Sequence, residues 1–220
     1  MKSIKLLSTI ALMATLAGTS IQAFAATYDG PTEANSSVTA EITVPENIGI
    51  PPIDPADPEP PVDPGETNPE RGDGLSIRYV SSLDFGATEF STGAQRLTAS
   101  LDSGLDEDSE VQEFENMVTL EDIRGERDGW QLTVRQATAF MDGAVMTMNP
   151  NVAANDFGVT TISTIELSME DEIFAQADNE EADAGVISMG MGEVTLDVPA
   201  RAGVGEYATT LVWNLTNGPE

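Results

Sequence analysis

The chain has 220 residues, with 38 Asp and Glu against nine Lys and Arg, no His and no Cys, and a formal net charge of −29. These absences exclude a disulfide framework, a Cys/His zinc site and any Ser-His or Cys-His nucleophile pair. The acidic excess also leaves no basic surface for a nucleic-acid partner.

In chain order, Lys2 and Lys5 precede an apolar run, Leu6 to Ala17, that closes on Ala23-Phe24-Ala25. This is the pattern of a secretory signal peptide over residues 1–25, with the cut expected after Ala25. The run is shorter than the roughly 20 residues a membrane span needs, and no later segment comes closer. An exported chain without a membrane span is therefore expected. Both lysines lie inside the leader and all acids outside it, so seven Arg against 38 acids leave a net charge near −31.

Residues 26–44 form an N-terminal segment. Within it Ser37–Val44 places Val38, Ile42 and Val44 on one side of a two-residue period, predicting a short strand that pairs with the main domain. Residues 45–70 are an acidic Pro-rich linker, with nine prolines and six acids between positions 45 and 69. Proline removes backbone donors and like charges repel, so this stretch is predicted to be extended.

Residues 71–220 carry the main domain. Apolar residues alternate in Leu75–Val80, Trp130–Val134 and Val194–Val198, each run bounded by turn residues rather than helix caps. Asp142-Gly143 predicts a hairpin joining 130–140 to 144–148. No apolar stripe of helical period is sustained, and Ser168–Ala177 comes nearest. The fold class predicted is all-β, an antiparallel β-sandwich or barrel-like domain. Two acidic stretches, Leu101–Glu115 and Glu166–Asp183, are read as solvated loops or strand edges. Met146 with Met148, and Met189 with Met191, share strand faces and are predicted to fill the core.

The two tryptophans occur in one local pattern, Gly129-Trp130-Gln131-Leu132-Thr133-Val134 and Leu211-Val212-Trp213-Asn214-Leu215-Thr216. Residues two apart in a strand share a face, so each motif presents a Trp beside a Leu. Further marked stretches are Leu83-Asp84-Phe85-Gly86, Asp122-Ile123-Arg124-Gly125, Val198-Pro199-Ala200 and Gly205-Glu206-Tyr207. Together with the Trp-x-Leu pairs, one mid-domain and one near the C-terminus, they resemble the WxL-domain family of Gram-positive cell-surface proteins over nearly the whole chain.

That resemblance implies non-covalent attachment at the cell wall, to peptidoglycan or to companion surface proteins, without catalysis. Trp130, Leu132, Trp213 and Leu215 are the candidate binding residues. The competing reading makes both Trp side chains mainly core, since each shares its face with Leu and Val. With no Cys after the leader to carry a lipid and no LPxTG-like motif, attachment is expected to rest on binding. A chain this acidic meets an anionic wall with repulsion at contact, which points to stacking on sugars, cation bridging or protein docking.

Smaller signals weigh less. Arg71-Gly72-Asp73 is an integrin-type tripeptide in a polar loop, and Asp102–Asp108 supplies oxygen ligands without the spacing of an EF-hand. A hydrolase acting through paired carboxylates is the rival class. The chain is expected to be no enzyme and to use no cofactor or metal.

Overall fold

The period-two alternation that governs the main domain is realised as strands. The computed structural model describes residues 63–65, 67–68, 74–106, 108–124, 128–152, 158–178 and 185–218, together with the backbone of 27–28 and 34–35. The leader, the strand predicted at Ser37–Val44, most of the Pro-rich segment and Arg71-Gly72-Asp73 lie outside the described residues.

The chain divides into two units, residues 1–43 and 44–220. In the first, Thr27–Tyr28 (β1) and Ala34–Asn35 (β2) pair antiparallel. In the second, strands follow at Leu75–Val80 (β3), Gln95–Thr98 (β4), Asp102–Leu105 (β5), Val111–Phe114 (β6), Met117–Asp122 (β7), Trp130–Gln136 (β8) and Val145–Met148 (β9). Asn151–Val152 (β10), Val159–Thr161 (β11), Ile165–Leu167 (β12), Glu172–Ala177 (β13), Gly185–Gly190 (β14), Thr195–Val198 (β15) and Leu211–Asn217 (β16) complete it. No helix occurs among the described residues, and Ser168–Ala177 contributes strand β13.

Every pairing is antiparallel, in three four-stranded sheets ordered β10-β14-β7-β3, β11-β13-β8-β16 and β12-β9-β15-β4, with β5-β6 as a separate hairpin. The sheets do not close into a barrel; they pack as a sandwich. Most connections carry the chain from one sheet to another, among them the short bends from β9 into β10, β11 into β12, and β14 into β15. The bends between them use residues suited to breaking a ladder. Pro150 offers no donor, and Gly192 takes φ +64°, with an added Cβ overlapping the Asn149 carbonyl oxygen.

The inner faces make one core, containing Trp130, Leu132, Val134 and Phe174 with Met146, Met148, Met189 and Met191, as the shared strand faces of the methionine pairs predict. Strand β7 is buried along its whole length. Val118 and Leu120 join the main core, whereas Met117 packs with Phe114 of β6 and Tyr79 of β3. The hairpin is held there by Tyr79, whose hydroxyl donates to Asp102 Oδ2 at 2.6 Å. The first acidic stretch is thus mostly this exposed hairpin, and the Asp106 carboxylate closes its turn by accepting from the Asp108 and Glu110 amides.

One expectation is overturned. Asp142-Gly143 does make a turn, with Gly143 at φ +74° and Ala144 N donating to Met141 O, yet β8 and β9 lie in different sheets. Strand β8 already has β13 on one side and β16 on the other, leaving no edge for β9, so the turn arches between sheets. Asp63 exchanges two 2.8 Å backbone hydrogen bonds with Leu105, and Asn68 N donates to Arg78 O at 2.8 Å. Gly104 permits the first contact, because a Cβ there would stand 2.5 Å from Asp63 O.

Candidate functional site

Both Trp-x-Leu motifs lie in one sheet, on adjacent strands. Strand β8 alternates between buried and half-buried positions, with Trp130, Leu132, Val134 and Gln136 turned inward. Its register with β16 sets Leu215 opposite Leu132, Trp213 opposite Val134 and Leu211 opposite Gln136. Partners across a ladder share a face, so the two motifs form a single apolar patch directed inward.

Their exposure differs because β8 is central and β16 is an edge. Trp130 is 0 % exposed, and its indole Nε1 is buried without a hydrogen-bond partner, at a cost of about 1–3 kcal/mol. Leu132 is equally buried. Trp213 and Leu215 are half-buried, and the Trp213 ring meets Phe174 edge-on with centroids 5.0 Å apart and planes at 77°. Trp213 therefore packs on the core while part of its ring remains accessible.

The Asp122-x-Arg124 segment braces both motifs. Arg124 donates to both Asp122 carboxylate oxygens, at 2.9 and 2.7 Å, and also to Gly129 O at 3.0 Å and Asn217 Oδ1 at 3.2 Å. One nearly buried guanidinium thus ties the end of β7 to the residue preceding Trp130 and to the last residue of β16.

The accessible chemistry lies on loops beside this sheet. A groove of about 350 Å³ is walled by Phe85, Phe140 and Tyr207, floored by Leu97, Leu196 and Val198, and rimmed by Phe90, Val204, Glu89 and Glu206. A hollow of about 380 Å³ shares Phe85 and Phe140 with it and reaches Leu83, Leu211 and Trp213. The three wall rings form a row, with Phe140 6.4 Å from both Phe85 and Tyr207. Large apolar groups are exposed at its mouth, Val204 at 90 %, Phe90 at 60 % and Tyr207 at 40 %.

The walls are held in place by polar contacts. Buried Gln136 accepts from Phe140 N at 3.0 Å and donates through Nε2 to Leu167 O at 2.7 Å, anchoring the Phe140 loop to the end of β12. Asp84 accepts from Gly86 N, turning the chain after Phe85 with Gly86 at φ +64°. The Tyr207 hydroxyl donates to Gly203 O at 2.9 Å, and Arg201, a non-glycine residue at φ +60°, donates its amide to Ser91 O. Loops 84–91 and 199–207 are thereby joined.

Four of the marked sequence stretches meet at these two hollows: Leu83–Gly86, Val198, Gly205–Tyr207 and Trp213. Trp130 and Leu132 line neither. The aromatic walls at Phe90 and Phe140 carry no motif; their signal in the sequence is a ring in a turn-rich loop rather than in an alternating strand. Among the described residues no three Asp or Glu side chains gather to hold a metal ion. The Asp106 carboxylate is engaged by its own turn, which holds its pKa below the ordinary carboxylate value, chiefly through the Glu110 amide and then through Gln112.

Compared with known families, the sequence matches the model of the WxL domain, described as surface cell wall-binding, over residues 29–219. The chain belongs to the WxL-domain family. Curated proteins and solved structures give no match. As a WxL protein it carries a cell wall-binding domain, and no helix among the described residues is long and apolar enough to cross a membrane.

Proposed function

We propose that this WxL domain holds an exported, non-enzymatic protein at the Gram-positive surface by direct, non-covalent contact with peptidoglycan, made at the aromatic groove. The observation that carries the reading is the convergence of Leu83–Gly86, Val198, Gly205–Tyr207 and Trp213 on adjoining hollows that share Phe85 and Phe140. A concave site of this volume, with ring walls and a few polar groups, suits a small segment of polymer. Ring faces can stack on the apolar faces of sugars without a basic surface, which this chain lacks.

The binding reading also accounts for the buried carboxylates. Asp122 is held by Arg124, Glu121 faces Arg78 at 3.7 Å, and half-buried Glu115 accepts from Asn151 Nδ2 and Gly192 N. None of them lines the groove, and the two carboxylates that do, Glu89 and Glu206, are exposed on its rim rather than enclosed as a buried acid and base pair.

A second reading, docking on a companion surface protein, is favoured by the cleft of about 710 Å³ between β12 and β13. Exposed Val145, Ile162 and Ile173 line it beside Glu166, Asp171 and Glu172.

Sedimentation with peptidoglycan sacculi stripped of protein, beside intact walls, separates the two. Saturable pelleting with bare sacculi that is lost in Tyr207→Ala and Phe90→Ala, both still folded by circular dichroism, is the expected result. Pelleting with intact walls alone would overturn direct recognition in favour of a companion. Release of soluble fragments from labelled peptidoglycan would overturn the non-enzymatic reading.

A further inference from the structure

The charge of the groove narrows its ligand further, on the basis of the wall-binding reading above. Its walls are the rings of Phe85, Phe140 and Tyr207, with Gln95 as a neutral hydrogen-bonding group, and the charged side chains lining it are both carboxylates, Glu89 and Glu206. Both are exposed on the rim. Among the described residues no Arg or Lys lines the groove to offset them. Arg78, Arg96, Arg124 and Arg135 each face an acid, at 3.7, 2.7, 2.7 and 3.4 Å, and Arg201 does not line the groove.

An anionic ligand would bring its charge against these two carboxylates and against the field of a chain at net −29. A neutral sugar would gain the ring contacts alone. A sugar with a free amine adds charge-assisted hydrogen bonds from its ammonium to the carboxylates, at positions beside the rings. We propose that the groove selects amino-sugar chains bearing free, protonated amines over the same chains when fully N-acetylated. The wall segments it holds are accordingly those whose glucosamine units lack the acetyl group.

Acetylation converts the ammonium into a neutral amide and adds bulk, so the discrimination follows the charge pairs. An exposed pair changes affinity by up to about fivefold, so two carboxylates give a preference of roughly 3- to 20-fold, diminishing as salt rises.

The test is calorimetric titration of the full chain with a glucosamine tetramer and with its fully N-acetylated counterpart, at low salt and at 0.5 M salt. The same titrations are run on Glu89→Gln/Glu206→Gln, and on Glu110→Gln/Glu113→Gln, which removes equal charge from the exposed hairpin. The expected result is preference for the free-amine tetramer, lost in the groove variant and kept in the hairpin variant. Equal affinity for the two tetramers, or equal loss of preference in both variants, would overturn the proposal, the latter showing general charge attraction. If neither tetramer binds while bare sacculi still pellet the protein, the groove's selectivity fails and wall recognition stands. If sacculi also fail to pellet it, the underlying reading fails with it.

Discussion

Leu132 and Leu215, the leucines of the two Trp-x-Leu motifs, stand directly opposite each other across β8 and β16. The motifs are therefore one structural unit, joined by a ladder and facing one core. Leu132 is fully buried and Leu215 half-buried. Leu132→Ala is expected to destabilise the domain by about 2–5 kcal/mol and Leu215→Ala by about half as much. Urea unfolding of the single and double variants checks this; contact across the ladder predicts a coupling of roughly 0.5 kcal/mol or more, and strictly additive losses would contradict it.

The two indoles report different environments. With Trp130 enclosed and Trp213 at an edge strand beside a hollow, Trp213→Phe should leave a blue-shifted emission resistant to acrylamide. Trp130→Phe should leave a redder emission that acrylamide quenches. Equal quenching in the two variants would be inconsistent with the central and edge placement of β8 and β16.

Removing the guanidinium of Arg124 leaves Asp122 charged and nearly buried, so Arg124→Ala is expected to cost about 3–5 kcal/mol. Arg124→Lys should recover little of this, because an ammonium cannot reproduce the two-point contact together with the bonds to Gly129 and Asn217. Thermal melts of the two variants test the point. A lysine variant as stable as the wild type would show that charge alone matters.

Gly192 sits in the bend between β14 and β15 at φ +64°, where an added Cβ overlaps the Asn149 carbonyl. The backbone strain alone costs on the order of 1–3 kcal/mol, and the overlap adds to it. Gly192→Ala should lower the unfolding midpoint markedly, whereas Gly93→Ala, in an open turn with negative φ, should not.

The pH response of the hairpin has a definite sign. Because the folded-state pKa of Asp106 lies below its ordinary value, its contribution is fully present above about pH 4 and is lost as pH falls through the depressed pKa. Over the same range the repulsion of a chain at net −29 relaxes, so global stability and hairpin order should part company. Relative to the intrinsic rate at each pH, amide exchange at Asp108 and Glu110 should accelerate below about pH 4, and Asp106→Asn should abolish that step. Acceleration already between pH 7 and 5 would contradict the assigned turn.

Much of this was legible in the sequence because period two is a local property. Leu75–Val80 is a strand with the bounds its alternation predicts, and the alternation at Trp130–Val134 extends to Gln136. Asp142-Gly143 marked a turn correctly, but a turn signal carries no knowledge of whether the strand before it has a free edge. The groove was less legible for a similar reason. Phe85 and Phe90 share one loop while Phe140 and Tyr207 lie in two others far along the chain, and the joining of loops 84–91 and 199–207 together with the Gln136 anchor of the Phe140 loop brings their rings to one groove.

By itself the sequence determined the family, the all-β class, the acidic surface and the pairing of each Trp with a Leu, since these depend on composition, motif and neighbours two residues away. The tertiary structure decided that the two identical motifs take unlike positions. Burial of a strand depends on how many neighbours it has in the sheet, and that is set by long-range pairing: β8 lies between two strands and encloses Trp130, whereas β16 forms an edge and leaves Trp213 beside an open hollow.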